Sequence, residues 1–149
     1  MLHEAEAFGI TNAMATDMGY QIEWDAACES LAKMHRRGIR VLPGGDYGFA
    51  FTPHCQNARD LEFFVKYLNF TPAEAIRCAT VYGGQIMMRG HELGAIKEGY
   101  LADLLLVDGD PLSNLAILRD PKRMLAVMKD GRFAKKPEIA ESRQFRRTA

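Results

Sequence analysis

The sequence predicts an α/β chain in two parts. The part up to about residue 90 reads as one helix–strand–helix unit of an α/β barrel or layered sheet, and the part after it as a few strands of a small β structure. Three observations carry this. Gly38 ends a helical pattern and is followed by the short β-type run Ile39-Arg40-Val41-Leu42-Pro43 and a Gly-rich loop. Thr71-Pro72-Ala73-Glu74 is a complete helix start. Ala102-Asp103-Leu104-Leu105-Leu106-Val107 is a compact apolar strand broken by Asp108-Gly109-Asp110-Pro111. Helix, glycine, strand and Gly-rich loop form the rhythm of a parallel sheet.

In chain order, a helix is expected within part of residues 1–20. The next runs from Asp25, as its cap, to about Arg37, with Ala27, Leu31 and Met34 as its apolar stripe. Lys33, Arg36 and Arg37 complement the dipole at its end, and Gly38 stops it. The loop Gly44-Gly45-Asp46-Tyr47-Gly48 continues through Phe49-Ala50-Phe51-Thr52-Pro53-His54. A helix over Asn57–Leu68 buries Leu61, Phe64, Val65 and Leu68. In the following helix, Thr71 caps, Pro72 takes N1 and Glu74 closes a capping box at N3. A further helical piece covers Val81 to Met88, and a short one lies near Ser113–Leu118. Met124–Met128 is a strand, and Lys129-Asp130-Gly131-Arg132 is a hairpin signal.

This division places domains at 1–90 and 91–134, with a basic, disordered tail at 135–149 carrying Lys135, Lys136, Arg143, Arg146 and Arg147. Neither domain closes on itself. A barrel takes eight strands and about 250 residues. The strands after residue 90 are too few to hide their own edges. The chain reads as the middle of something longer, incomplete by itself.

Bulk composition excludes several function classes. The 149 residues carry 19 basic and 19 acidic side chains, so there is no electrostatic footprint for nucleic acid or an acidic membrane surface. No apolar stretch approaches a membrane span. The acidic first residues are no signal peptide. Cys28, Cys55 and Cys78 are odd in number, widely spaced and without a CxxC, which argues against a disulfide framework or thiolate zinc site and for a reducing cytoplasm.

The order of these pieces resembles the last barrel unit of the amidohydrolase superfamily: a helix, a strand ending in Gly44-Gly45-Asp46, a loop, a helix, then Thr71-Pro72-Ala73-Glu74-Ala75-Ile76 and Ala79-Thr80. The segment Leu93-Gly94-Ala95-Ile96-Lys97-Glu98-Gly99-Tyr100-Leu101-Ala102-Asp103 through Asp108-Gly109-Asp110-Pro111 resembles that family's return to its β-sandwich. The resemblance runs from about residue 25 to 133, and is nearest to imidazolonepropionase-like and prolidase-like members. It implies the last strand–helix unit of a TIM-like (β/α)8 barrel plus part of the accompanying small β-sandwich. It implies a metal-dependent hydrolase of a C–N bond in an amide, dipeptide or cyclic amide, holding one or two divalent metals, often zinc. The family's site takes an HxH pair from the first strand, histidines from the fifth and sixth, often a carboxylated Lys, and an Asp from the eighth. Of these positions only Asp46 carries over, as metal ligand and general base that takes a proton from water and passes it to the leaving nitrogen. Gly45 departs from the Thr or Ser that many members place before this Asp. The HxH pair is absent, since His3, His35, His54 and His91 are isolated. The remaining ligands are expected upstream of residue 1. One carboxylate does not hold a catalytic zinc, so the chain alone is expected to bind no metal and to be inactive.

Without the family pattern, an Asp after two glycines is most often a turn residue. His54 is read as shaping a substrate pocket or as a plain loop histidine, both open. Tyr47, Phe49 and Phe51 are candidates to line that pocket, with at least two of them packing on the next helix. His35 and His91 are expected at the surface, Met87-Met88 in the core, and Asp103 and Asp108 in structural turns. Cys55 beside His54 is not read as a nucleophile pair, because adjacent residues rarely face each other. The expected partners are a small amide substrate in the complete enzyme and either further copies of the chain or a complementing chain that covers the open apolar faces. The alternative reading is a non-enzymatic module docked on a partner that supplies the missing barrel.

Overall fold

The computed structural model describes residues 11–48 and 52–137. Helix α1 (Asn12–Asp17) is capped by the Thr11 side chain, which accepts from the Met14 N–H at 3.2 Å. Gly19, at φ 79°, then re-aims the chain into α2 (Tyr20–Arg36). This helix starts five residues before Asp25, the expected cap. A glycine in the left-handed region opens it instead, and Asp25 lies inside, accepting from Gln21 Nε2 at 2.9 Å. The buried stripe also differs from the expected one. Ala27 and Met34 are exposed, whereas Ala32 is buried and Trp24, Cys28, Leu31 and His35 are half-buried. The stop is as read: Gly38 donates to His35 O and Ile39 to Met34 O, the paired bonds of a left-handed glycine terminus.

Residues 39–43 follow with no cross-strand ladder, so the expected strand is not formed as one. A strand is defined by its neighbours' hydrogen bonds, and among the described residues none lies alongside. Val41 nevertheless enters the core at 8% exposure while Ile39 stays 52% exposed. The packing therefore changes along the segment, from open at Ile39 to buried at Val41.

Helix α3 (Arg59–Leu68) buries Leu61, Phe64 and Leu68. Asn69, at φ 61°, reverses the chain, and the Phe70 N–H closes on Phe64 O at 3.2 Å. Helix α4 (Pro72–Arg77) has both halves of its capping box: Thr71 Oγ1 accepts from the Glu74 N–H, and Glu74 Oε2 accepts from the Thr71 N–H at 2.8 Å. The helix does not restart at Val81. It widens into a π turn (Cys78–Tyr82) and continues as α5 (Gly83–Ile86). The chain crossing at Leu93-Gly94 explains the glycines there. A Cβ on Gly94 would stand 2.4 Å from Thr80 O, and one on Gly84 2.9 Å from Leu93 O. Met87 and Met88, expected in the core, are 61% and 85% exposed, because α5 ends before its apolar side reaches the cluster.

The later strands form an antiparallel sheet in the order β1 (Leu104–Val107), β2 (Met124–Lys129), β3 (Arg132–Lys135). Leu104 pairs with Met128 and Lys129 with Arg132, leaving Asp130-Gly131 as a two-residue turn. Both turn residues have positive φ, 50° and 73°, as a type I′ hairpin requires. Asp103 Oδ1 accepts from the Asp130 N–H at 2.7 Å, so the acid expected in a turn braces one. A short 3₁₀ helix (Leu115–Arg119) sits between β1 and β2.

The core is one cluster of Val41, Leu61, Phe64, Leu68, Phe70, Ala75, Cys78 and Leu115. Leu115 thus brings the later part of the chain onto α3, where Arg119 also pairs with Glu62 at 3.1 Å. Burying a side chain the size of Leu or Phe contributes about 1.5–3 kcal/mol, so this cluster is the principal anchor of the fold. His35, expected at the surface, is half-buried: its ring stacks on Phe70 at 3.6 Å and approaches Glu74 at 3.8 Å. No helix of the described residues is long and apolar enough to cross a membrane.

Candidate active site

Pro43-Gly44-Gly45 leads residues 39–43 to their carboxyl end, the end at which barrel strands place their chemistry. Asp46 is next, at φ 46°, a left-handed conformation that a short polar side chain tolerates. Its side chain is exposed. Two bonds close the loop behind it: Thr52 Oγ1 donates to Asp46 O at 2.8 Å, and the Gly48 N–H donates to Thr52 O at 2.7 Å.

Tyr47 turns the other way. It is half-buried, and its hydroxyl donates to Asp60 Oδ1 at 2.7 Å, in the first turn of α3. Arg59, buried at 7% exposure, holds its guanidinium 5.8 Å from the Tyr47 ring centre and 5.4 Å from that of Phe63. Burial pushes the Tyr47 phenol above its ordinary range, the Asp60 carboxylate adds to this, and Arg59 opposes it. The phenol therefore remains a proton donor. Gly45 leaves no room for a side chain: a Cβ there would lie 2.7 Å from the Tyr47 ring and 3.0 Å from Asp60 Oδ2. The departure from Thr or Ser at this position thus has a local cause.

His54 is exposed, and its ring lies against Gly48, where a Cβ would stand 3.0 Å from Cε1. The described loop residues thus set His54 against Gly48 and turn Tyr47 back to α3. Phe49 and Phe51 lie outside the described residues. Asp60 and Arg59 were not apparent from the sequence. An acid in the first turn of a helix has an ordinary explanation in the helix dipole, and no spacing rule ties it to a tyrosine 13 residues earlier.

Among the described residues no three His, Cys, Asp or Glu side chains converge on a point that could hold a metal ion. Asp46 and the exposed His54 do not amount to the three protein ligands of a catalytic zinc, so the described residues do not fit a metal by themselves. The cysteines are free. Burial pushes the Cys28 and Cys78 thiols up, away from reactivity.

The described residues thus form a partial α/β structure: a segment ending in an exposed acid, two packed helices behind it and a small antiparallel sheet after it. Residues 25–134 match the amidohydrolase family, and the chain belongs to it. It is 30% identical over 105 residues to ochratoxinase of Aspergillus niger, covering 70% of this chain and 21% of that protein. It is 35% identical over 69 residues to imidazolonepropionase of Geobacillus sp. strain WCH70, covering 46% of this chain and 16% of the other. A prolidase-like protein of Bifidobacterium longum superimposes with a TM-score of 0.76 at 27% identity, over 91% of this chain and 33% of its own. The chain thus spans about a fifth of the ochratoxinase it matches.

Proposed function

We propose that this chain is the C-terminal part of a metal-dependent amidohydrolase that cleaves a C–N bond of a small amide, dipeptide or cyclic amide. The observation that supports this is the exposed Asp46 directly after the segment that packs Val41 into the core, within a chain of this family. Asp46 is the base that takes a proton from the attacking water and returns it to the leaving nitrogen, and it is one ligand of a divalent metal, with zinc the expected ion. The metal supplies charge stabilisation and a more acidic water when bound; its other ligands come from barrel strands outside this chain. His54, on the same loop, walls the substrate side.

The unladdered Ile39–Pro43 also supports the second reading, a module whose function is docking to a chain with the missing strands. Both readings meet in one experiment. The chain is combined with a polypeptide carrying the preceding barrel strands, zinc is added, and amine release from dipeptides, N-acyl amino acids and cyclic amides is followed. Hydrolysis that falls by about 10²-fold or more in Asp46→Asn supports the enzyme. A stable complex without hydrolysis supports the docking module. Hydrolysis indifferent to Asp46→Asn overturns the assignment of Asp46.

A further inference from the structure

We infer that Tyr47 and Asp60 form a positioning pair that fixes the turn presenting Asp46, with Arg59 as its buried support, so that the Tyr47 hydroxyl serves the loop rather than the substrate. The inference rests on the enzymatic reading only for what the turn presents; the pair itself is a matter of geometry.

Asp46 sits in the left-handed region, and the described residues 44–48 pair in no ladder. Two separate attachments hold it. One is internal to the loop, through the Thr52 hydroxyl and the Gly48–Thr52 backbone bond. The other ties the residue directly after Asp46 to a rigid element: Tyr47 Oη to Asp60 Oδ1 at 2.7 Å, on the first turn of a helix anchored by Leu61, Phe64 and Leu68. Arg59 lies against the Tyr47 ring from that same helix. Gly45 is the complement on the loop side, because any larger residue would occupy the space of the pair. A short polar group held by a helix through its neighbour is how a scaffold presents a reacting group at fixed geometry.

Tyr47→Phe keeps the ring and removes the bond. Asp60→Asn keeps an oxygen acceptor, whereas Asp60→Ala removes it. Gly45→Ser displaces the pair sterically. Amide hydrogen exchange is measured in the full chain. We expect the Gly48 amide to exchange about ten-fold faster in Tyr47→Phe, Asp60→Ala and Gly45→Ser, the change that one hydrogen bond of ordinary strength corresponds to. Asp60→Asn should stay near wild type, and the amides of Leu61–Leu68 should not change. In the complemented enzyme, Tyr47→Phe should lower kcat with KM held.

Unchanged Gly48 exchange in Tyr47→Phe overturns the inference. So does a uniform rise along α3, which would mark a merely structural bond. A raised KM with kcat kept would show the hydroxyl on the substrate and overturn it as well. If no amide is hydrolysed even by the wild-type complex, the enzymatic reading fails, and the exchange arm still decides on the pair.

Discussion

Ile39–Pro43 and Met124–Lys129 carry the same signal, a short run of aliphatic and β-branched residues, and end in different states. The second pairs on both sides, with β1 and β3, because its partners lie within thirty residues and a two-residue turn sets one register. The first has Val41 packed into the core and Ile39 open, with no ladder. A parallel strand obtains its hydrogen bonds from segments distant in sequence. The residues that make it a strand are therefore local, but the strand itself is not. On the proposed reading, the site sits at the end of a segment that other strands would pair.

The contrast can be broken at the core that the two regions share. Phe64→Ala should cost about 3–5 kcal/mol in urea unfolding, since Phe64 sits in the cluster that joins Val41 to Leu115. Loss of the helical signal alone, with the sheet still melting cooperatively at its old midpoint, would show that the regions are independent. Gly94→Ala acts at the crossing between them. It adds strain at φ 89° and a clash with Thr80 O, so a loss of about 2–3 kcal/mol is expected, with the π turn disturbed first. A loss within experimental error would contradict the tight crossing.

The smallest effect concerns the capping box of α4. The Thr71 N–H, then the Thr71 hydroxyl, hold Glu74 below the usual carboxylate range, with His35 adding a lesser attraction. A depressed folded value means that this contribution is present above the unfolded value of about 4.3 and is lost as the pH falls through the folded one. The difference in urea midpoint between the wild type and Glu74→Gln should therefore be larger at pH 6 than at about pH 3. A constant difference would remove the box from the acid response.

Much of this was legible in the residues. Thr71-Pro72-Ala73-Glu74 and Asp130-Gly131 encode their own geometry, since cap and turn chemistry act within four residues. Leu61, Phe64 and Leu68 were legible from periodicity alone. The start of α2 was not: Asp25 is a sound cap, but Gly19 opens the helix a turn and a half earlier. The π turn was not legible, and neither was the close approach of Gly94, fourteen residues past Thr80, to its backbone. Met87 and Met88 read as core by residue type, yet the helix ends before they can turn inward. At the site, Asp46 was singled out by the family resemblance and not by Gly-Gly-Asp itself, which most often marks a turn, whereas Asp60 and Arg59 depend on a tertiary contact that no local pattern announces.

Asp46 is proposed as one corner of a metal site whose other corners the described residues do not bring together. Zinc retained after exhaustive dialysis of the 149-residue chain, counted per chain by elemental analysis, tests it most directly. Far less than one zinc per chain is expected, with wild type and Asp46→Asn alike. One tightly held zinc per chain, lost in Asp46→Asn, would contradict it.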